Sequence, residues 1–471
     1  MPENYCTLNL DITRYIHQFH HRIVCGDSLL VSCIPHTPHS KMCTCDSSPA
    51  ISHRMGDWIN YFNDPLMVLK IQNYFGIYRR RQTNGSVDKL RTSDLSSSSS
   101  SSENSEVLTR RKNITGKTQI TEDEEDTGIS SESETETSEY VVNNKIWYYL
   151  FCFGTILGDE IFYASFIPFW FWNIDGAVGR RVVLVWAIIM YIGQGIKDII
   201  RWPRPACPPA VRVQKKWALE YGMPSTHAMV AACMPFSVLL YTMDRYQYSM
   251  TVGLIVAFAW CSIVCVSRVY LGMHSVLDVI VGLILAVLLM IPLIPLVDAL
   301  DKHLLTGLWS PYIVLGSSIL LVACSPCGDR WTPTRGDTAV VTGVTVGIQI
   351  GAWMNYKLGF MKESLLQPPY SIIWPTYQMM GLLLLRTVLG FCCMIATRAF
   401  FKWASYVTAC ALLRLDRRDM KHRDISNRRQ TIVELSYKFI TYFAVGIDTA
   451  YLLPNLFRIM GIERPTFYTE I

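Results

Sequence analysis

The chain lacks a strong net charge and any paired-ligand cysteine pattern. Its formal charge is +5 over 471 residues, which says little about partners and gives no sign of a nucleic-acid surface. There are 15 cysteines. Cys43 and Cys45 are one residue apart, and no Cys or His pair follows at zinc-finger spacing. Others, such as Cys233, Cys261 and Cys265, lie inside apolar runs, where a free thiol is usually a small buried hydrophobe. A cleavable leader is not expected, because His, Asp and Arg interrupt any apolar core in the first 30 residues. Long apolar runs are missing from residues 1–145, and no membrane span is expected there.

Residues 1–145 read instead as a largely disordered polar and acidic tail. Ser96 to Ser102 is an unbroken serine run, and residues 121–139 are dominated by Glu, Asp, Ser and Thr. Such a segment cannot bury enough apolar surface to offset the entropy of ordering. The stretch from Trp58 to Tyr78 is the exception. Its apolar residues, among them Trp58, Phe62, Leu66, Val68, Ile71 and Phe75, fit a helix on the membrane surface or one packed on the protein body. Asn84 and Asn113 open glycosylation tripeptides, which also arise by chance.

After residue 145 the apolar runs begin. A bilayer-crossing helix needs about 17–25 apolar residues. Candidate spans fall at 146–172, 182–200, 227–243, 250–266, 275–297, 304–324, 338–354, 376–397 and 434–455. The expected fold is all-α: a polytopic membrane bundle of about nine helices. Residues 146–300 form its core and 301–471 add further spans. Asp159 and Glu160 lie within the first span, which is expected to stay one helix with its acids facing inward. The strongly basic segment 398–433 reads as a surface loop.

Three polar clusters sit where spans end. Lys197, Arg201 and Arg204 recur at helical spacing, and Pro203 and Pro205 close the helix. Basic residues beside a span are ordinarily anchors. Pro224-Ser225-Thr226-His227 opens the third span. Ser225 is placed as an N-cap, and the free N–H groups of that turn can hold an anion. Ser267 and Arg268 end the fourth span, and His274 and Asp278 start the fifth. A His and an Asp four apart on a helix face can pair, which fixes the imidazole tautomer and makes Nε2 nucleophilic. Each cluster alone has an ordinary structural explanation. Counting the spans puts all three on one side of the membrane, and ionisable groups at membrane depth are costly enough to be functional.

Together these residues suit phosphoryl transfer. Lys197, Arg204 and Arg268 can surround a phosphate, with Ser225, Thr226 and the helix N–H groups as further donors. His274, oriented by Asp278, is the expected nucleophile. His227 is the expected acid toward the departing oxygen and the base toward water. No carboxylate cluster is apparent beside them in the sequence, so neither a metal nor a cofactor is expected.

These residues resemble the signature of the type 2 phosphatidic acid phosphatase superfamily. KDIIRWPRP (197–205), PSTH (224–227) and SRVYLGMHSVLD (267–278) carry its three motifs over about 80 residues with matching spacing. Thr226 stands where the superfamily usually has Gly. The PSTH form and GDRWTPTRGDT (328–338) look like the sphingosine-1-phosphate phosphatase branch. That resemblance implies a hydrolase for sphingoid base phosphates at the endoplasmic reticulum, independent of magnesium. The neighbouring expectations are a broad lipid phosphate phosphatase, a glucose-6-phosphatase-like enzyme, a lipid phosphotransferase, a transporter or a scaffolding pseudoenzyme. A transporter would spread charges over several depths, and an intact catalytic set argues against a pseudoenzyme.

Overall fold

A computed structural model describes residues 50–80, 140–214, 219–326, 328, 331–362, 367–415 and 427–470. The serine run, the acidic stretch at 121–139, both glycosylation tripeptides and Cys43 and Cys45 lie outside the described residues.

The chain is helical wherever apolar residues recur. Helices α1 (Ala50–Asn63) and α2 (Pro65–Tyr74) are separated by Asp64, whose side chain accepts from the Leu66 N–H at 2.8 Å while Pro65 starts the next turn. A short antiparallel ribbon, β1 (Ile77–Arg79) with β2 (Tyr140–Val142), ties this pair to the start of the bundle. Val68 and Gln72 are fully buried, so α2 packs on the protein body.

The first span is not one helix. It breaks into α3 (Lys145–Ile156) and α4 (Glu160–Asn173), bent by 60°. The Tyr163 hydroxyl donates to the carbonyl of Leu157 at 3.0 Å, satisfying part of the backbone released by the break. Four long apolar helices come after it: α5 (Gly176–Ile200), α6 (Thr226–Met243), α7 (Met250–Tyr270) and α8 (Val276–Thr306). Next come the short apolar α9 (Ser310–Ala323), then α10 (Thr334–Lys357), α11 (Tyr377–Leu413) and α12 (Arg428–Ile447). The last helix runs through one π turn, Asp448–Leu452, into α13 (Leu453–Ile459). Residues Tyr246–Gln247 (β3) and Tyr370–Ser371 (β4) pair in parallel at the end of the bundle away from the three motifs.

Among the described residues, five helices are long and apolar enough to cross a membrane: α5, α6, α7, α8 and α11. The bent α3–α4 pair brings the number to six. Fewer helices therefore qualify than the nine read from the sequence. Helix α9 is too short by this measure, and α10 and α12 are too polar. Thr338, Thr342, Thr345 and Gln349 of α10 are buried, the Thr338 hydroxyl donating to Gln194 Oε1 of α5 at 2.8 Å. Helices α10 and α12 cross where a Cβ on Gly347 would collide with the backbone of Phe443 and Gly446, a close approach that only small residues allow. The outward faces of α7, α8 and α11 carry exposed Ile255, Phe258, Leu288, Ile291, Leu384 and Val388, as a lipid-facing surface requires. Helix α11 also corrects the reading of 398–433 as a loop: residues 398–413 continue the helix, and α12 resumes at Arg428.

Candidate active site

The three clusters meet at one end of the bundle, in a shared network. Lys197 lies in the last turn of α5, its side chain almost wholly buried. The ammonium donates to Glu220 Oε2 at 2.6 Å and to Thr226 Oγ1 at 3.0 Å. Helix α5 stops at Ile200 because Arg201 takes a left-handed conformation and turns its Nε back to the Asp198 carbonyl. Arg201 thus leaves the line that helical spacing gave it. Arg204 arrives by extended chain between two prolines. Its Nε donates to the Glu220 carbonyl at 3.0 Å and its Nη1 to the Met273 carbonyl at 2.7 Å. That same Nη1 lies 3.3 Å from Nε2 of His274.

Ser225 caps α6, its hydroxyl accepting from the Ala228 N–H at 3.4 Å. This is the placement the sequence suggested. His227 follows in the first turn, with Nε2 3.8 Å from Oδ1 of Asp159. Arg268, in the last turn of α7, is fully buried. Its Nη1 donates weakly to Gln214 at 3.5 Å, while Nε and Nη2 have no hydrogen-bond partner among the described residues. A buried guanidinium with unused donors is costly, and an anion would satisfy it.

His274 and Asp278 do not share a helix face. Helix α8 starts at Val276, and Ser275 is its N-cap. Ser275 and Asp278 form a reciprocal capping box, with the Ser275 N–H donating to Asp278 Oδ2 at 2.8 Å and the Asp278 N–H to Ser275 Oγ at 3.1 Å. His274 sits just outside the cap. Its Nδ1 is 3.7 Å from that Oδ2, an approach made by the turn rather than by helical spacing. Burial pushes the His274 imidazole well below its ordinary pKa. Arg204, Arg268, Lys197 and His227 push it the same way. The ring is therefore neutral, with Nε2 facing the Arg204 guanidinium as an acceptor.

Two carboxylates outside the three motifs join the site. Glu220 is buried between Lys197 and Arg204, with its Oε2 3.6 Å from Arg204 Nη2. Burial alone would raise its pKa, but Lys197 and Arg204 outweigh it and hold the carboxyl below its usual range. Asp159 comes from the break in the first span. Neither residue has a local spacing that ties it to the motifs. The segment 331–338 also serves the site indirectly: Thr334 Oγ1 donates to Asp198 Oδ2 at 2.6 Å and Thr332 Oγ1 to Oδ1 at 3.3 Å, bracing the residue beside Lys197. Among the described residues no group of three or more His, Cys, Asp or Glu side chains could hold a metal ion.

Buried cations lie near a neutral imidazole, with a second imidazole alongside, an arrangement that suits phosphoryl transfer. The PAP2 superfamily pattern matches residues 179–301, which contain every residue of the three clusters. The chain is 42% identical to sphingosine-1-phosphate phosphatase 1 of Rattus norvegicus over 323 residues, 68% of this chain and 74% of that protein. It is 38% identical to sphingosine-1-phosphate phosphatase 2 of Mus musculus, over 71% of this chain and 94% of that protein. With sphingosine-1-phosphate phosphatase 2 of Homo sapiens the identity is 37%, over 69% and 80%. No solved structure matches the chain. The chain is a membrane phosphatase of the PAP2 superfamily. Within that superfamily it belongs to the sphingosine-1-phosphate phosphatase family.

Proposed function

We propose that this protein hydrolyses sphingosine 1-phosphate and related sphingoid base phosphates to the sphingoid base and inorganic phosphate. The observation that carries the reading is Arg204 Nη1 3.3 Å from His274 Nε2, with Arg268 and Lys197 close enough to oppose a proton on that ring and with buried Arg268 donors left for an anion among the described residues. Lys197, Arg204 and Arg268 neutralise the phosphoryl oxygens, helped by the α6 N-terminus at Ser225 and Thr226. His274 Nε2 attacks phosphorus, forming the P–N bond as the P–O bond to the lipid alcohol breaks. His227 gives its proton to that alkoxide oxygen. Water then attacks the phosphohistidine, His227 takes the proton, and the P–N bond breaks to release inorganic phosphate. Asp278 holds the Nδ1 side of His274.

The names of the relatives support the lipid class, and the exposed apolar faces of α7, α8 and α11 support access from the bilayer. We place the enzyme as a multi-pass protein of the endoplasmic reticulum membrane. We also infer that α9, α10 and α12 traverse the bilayer as well, for nine crossings. The antiparallel order of helix ends supports this: Thr334 of α10 reaches Asp198 at the motif end, while Trp353 donates to the Gly307 carbonyl at the other.

A substrate panel tests the assignment. Membranes containing the protein are offered sphingosine 1-phosphate, dihydrosphingosine 1-phosphate, phosphatidate and glucose 6-phosphate. The expected result is a kcat/KM for the two sphingoid phosphates at least about tenfold above the others, roughly 1.4 kcal/mol of discrimination. A preference for glucose 6-phosphate or phosphatidate would overturn the sphingoid assignment while leaving the phosphatase chemistry in place.

A further inference from the structure

His227 has two ring nitrogens, and only one can face the departing oxygen. The other needs a partner that fixes the ring, and the break in the first span supplies one. Helix α3 ends at Ile156 and α4 begins at Glu160 with Asp159 at its N-cap position. An Asp there ordinarily accepts from the N–H groups of its own first turn. Asp159 makes no such cap bond. Its Oδ1 instead lies 3.8 Å from Nε2 of His227. Separations of this kind commonly shorten into hydrogen bonds when substrate is bound.

The neighbouring residue fits the same purpose. A Cβ on Gly158 would stand 3.2 Å from Cδ2 of His227 and 3.0 Å from Cγ1 of Val264, so a side chain there would press on the imidazole. A helix interrupted at membrane depth gives up backbone hydrogen bonds. The break thus costs stability, and what it delivers is a carboxylate beside Nε2 of the second histidine.

We propose that Asp159 is a positioning residue for His227. It anchors Nε2, leaves Nδ1 turned to the leaving oxygen, and stabilises the imidazolium that donates the proton. This rests on His227 being the proton donor, so the experiment separates the two. The full-length protein in lipid nanodiscs is assayed for kcat/KM, which reports the step that phosphorylates His274. Two substrates are compared: sphingosine 1-phosphate, whose alkoxide must be protonated to leave, and p-nitrophenyl phosphate, whose phenolate leaves unaided.

For Asp159→Asn the expected loss is about 30-fold on the lipid and under about 3-fold on the aryl ester, within the range an aligned acid contributes. Asp159→Glu returns activity on the lipid to within about 5-fold of the parent, since the carboxylate is kept. His227→Ala shows the same selectivity, larger on the lipid. Equal losses on both substrates, or none on either, for Asp159→Asn beside a selective His227→Ala would overturn the positioning role alone. A His227→Ala variant without leaving-group selectivity would remove the proton-donor reading and this proposal with it.

Discussion

Arg204 and His274 are separated by 70 residues and meet with Nη1 3.3 Å from Nε2. A guanidinium cannot give up its proton, so the imidazole accepts, and the ring facing it is neutral. Burial and the surrounding cations oppose a second proton on His274.

This relationship makes stability depend on pH. The unfolded imidazole takes a proton below about 6.5. The folded one stays neutral to a much lower pH, so protons favour the unfolded state in that window. Stability contributed by His274 is therefore present above about pH 6.5 and is lost progressively as pH falls below it. At pH 5.5 the loss is about 1 kcal/mol. Thermal unfolding in nanodiscs should show this loss in the parent and a smaller one in His274→Gln. Identical pH dependence in both would contradict a neutral buried ring. The same variant should lose at least about 1,000-fold in phosphate release, as removal of a nucleophile does.

Glu220 is the internal counter-charge of the phosphate site, bonded to Lys197 at 2.6 Å and beside Arg204. Phosphate must compete with it for those cations. Glu220→Gln leaves buried cations without compensation, which costs about 3 kcal/mol in the unliganded protein. It should also tighten inhibition by inorganic phosphate, by about tenfold or 1.4 kcal/mol. Phosphate should then restore much of the lost melting temperature. Weaker phosphate inhibition in the variant would show that Glu220 assists binding rather than opposing it.

How much of the fold and site is legible in the sequence depends on range along the chain. The spans from α5 to α8 show as local apolar runs, and Lys197, Arg204, Ser225, His227, Arg268 and His274 show as motifs at span ends. What the chain brings together from a distance is hidden. Asp159 meets His227 only because α3 and α4 bend apart, and the apolar runs on either side of Gly158, Asp159 and Glu160 are each too short to cross a bilayer alone, which favours reading them as one helix. Glu220 sits in a loop whose sequence carries no spacing to Lys197. Helix α11 outruns the apolar stretch read for it because Arg398 and Lys402 interrupt that stretch without ending the helix, which runs on through Trp403, Tyr406 and Leu412. The spacing of His274 and Asp278 suggests a shared helix face, whereas a capping box makes the pair.

Arg268 separates geometry from charge. Its fork is buried with Nε and Nη2 unused among the described residues. A Lys would keep the charge but offers one centre in place of a planar fork. Arg268→Lys should therefore lose about 100-fold in kcat/KM, close to the loss for Arg268→Ala, given that two or more charge-assisted bonds are at stake. Steady-state assays in the presence of excess chelator would measure this and also test whether turnover proceeds without a divalent ion, as expected. Near-parent activity in Arg268→Lys would mean that the bidentate contact is not made.

Gln72 ties the N-terminal helix pair to the catalytic end of the bundle. Its Nε2 donates to the carbonyls of Val211 at 2.6 Å and Tyr270 at 2.9 Å, and its Oε1 accepts from the Val211 N–H at 2.9 Å. Tyr270 lies two residues after Arg268 and four before His274, so the amide braces the turn that carries both. Gln72→Ala leaves three buried backbone groups without that partner, a cost of about 3 kcal/mol shared between undocking α2 and loosening the turn. The expected outcome is faster proteolytic cleavage within residues 50–80 together with a several-fold fall in kcat. Gln72→Glu should do at least as much harm, because a carboxylate cannot donate to two carbonyls. Cleavage and turnover indistinguishable from the parent in both variants would detach the helix pair from catalysis.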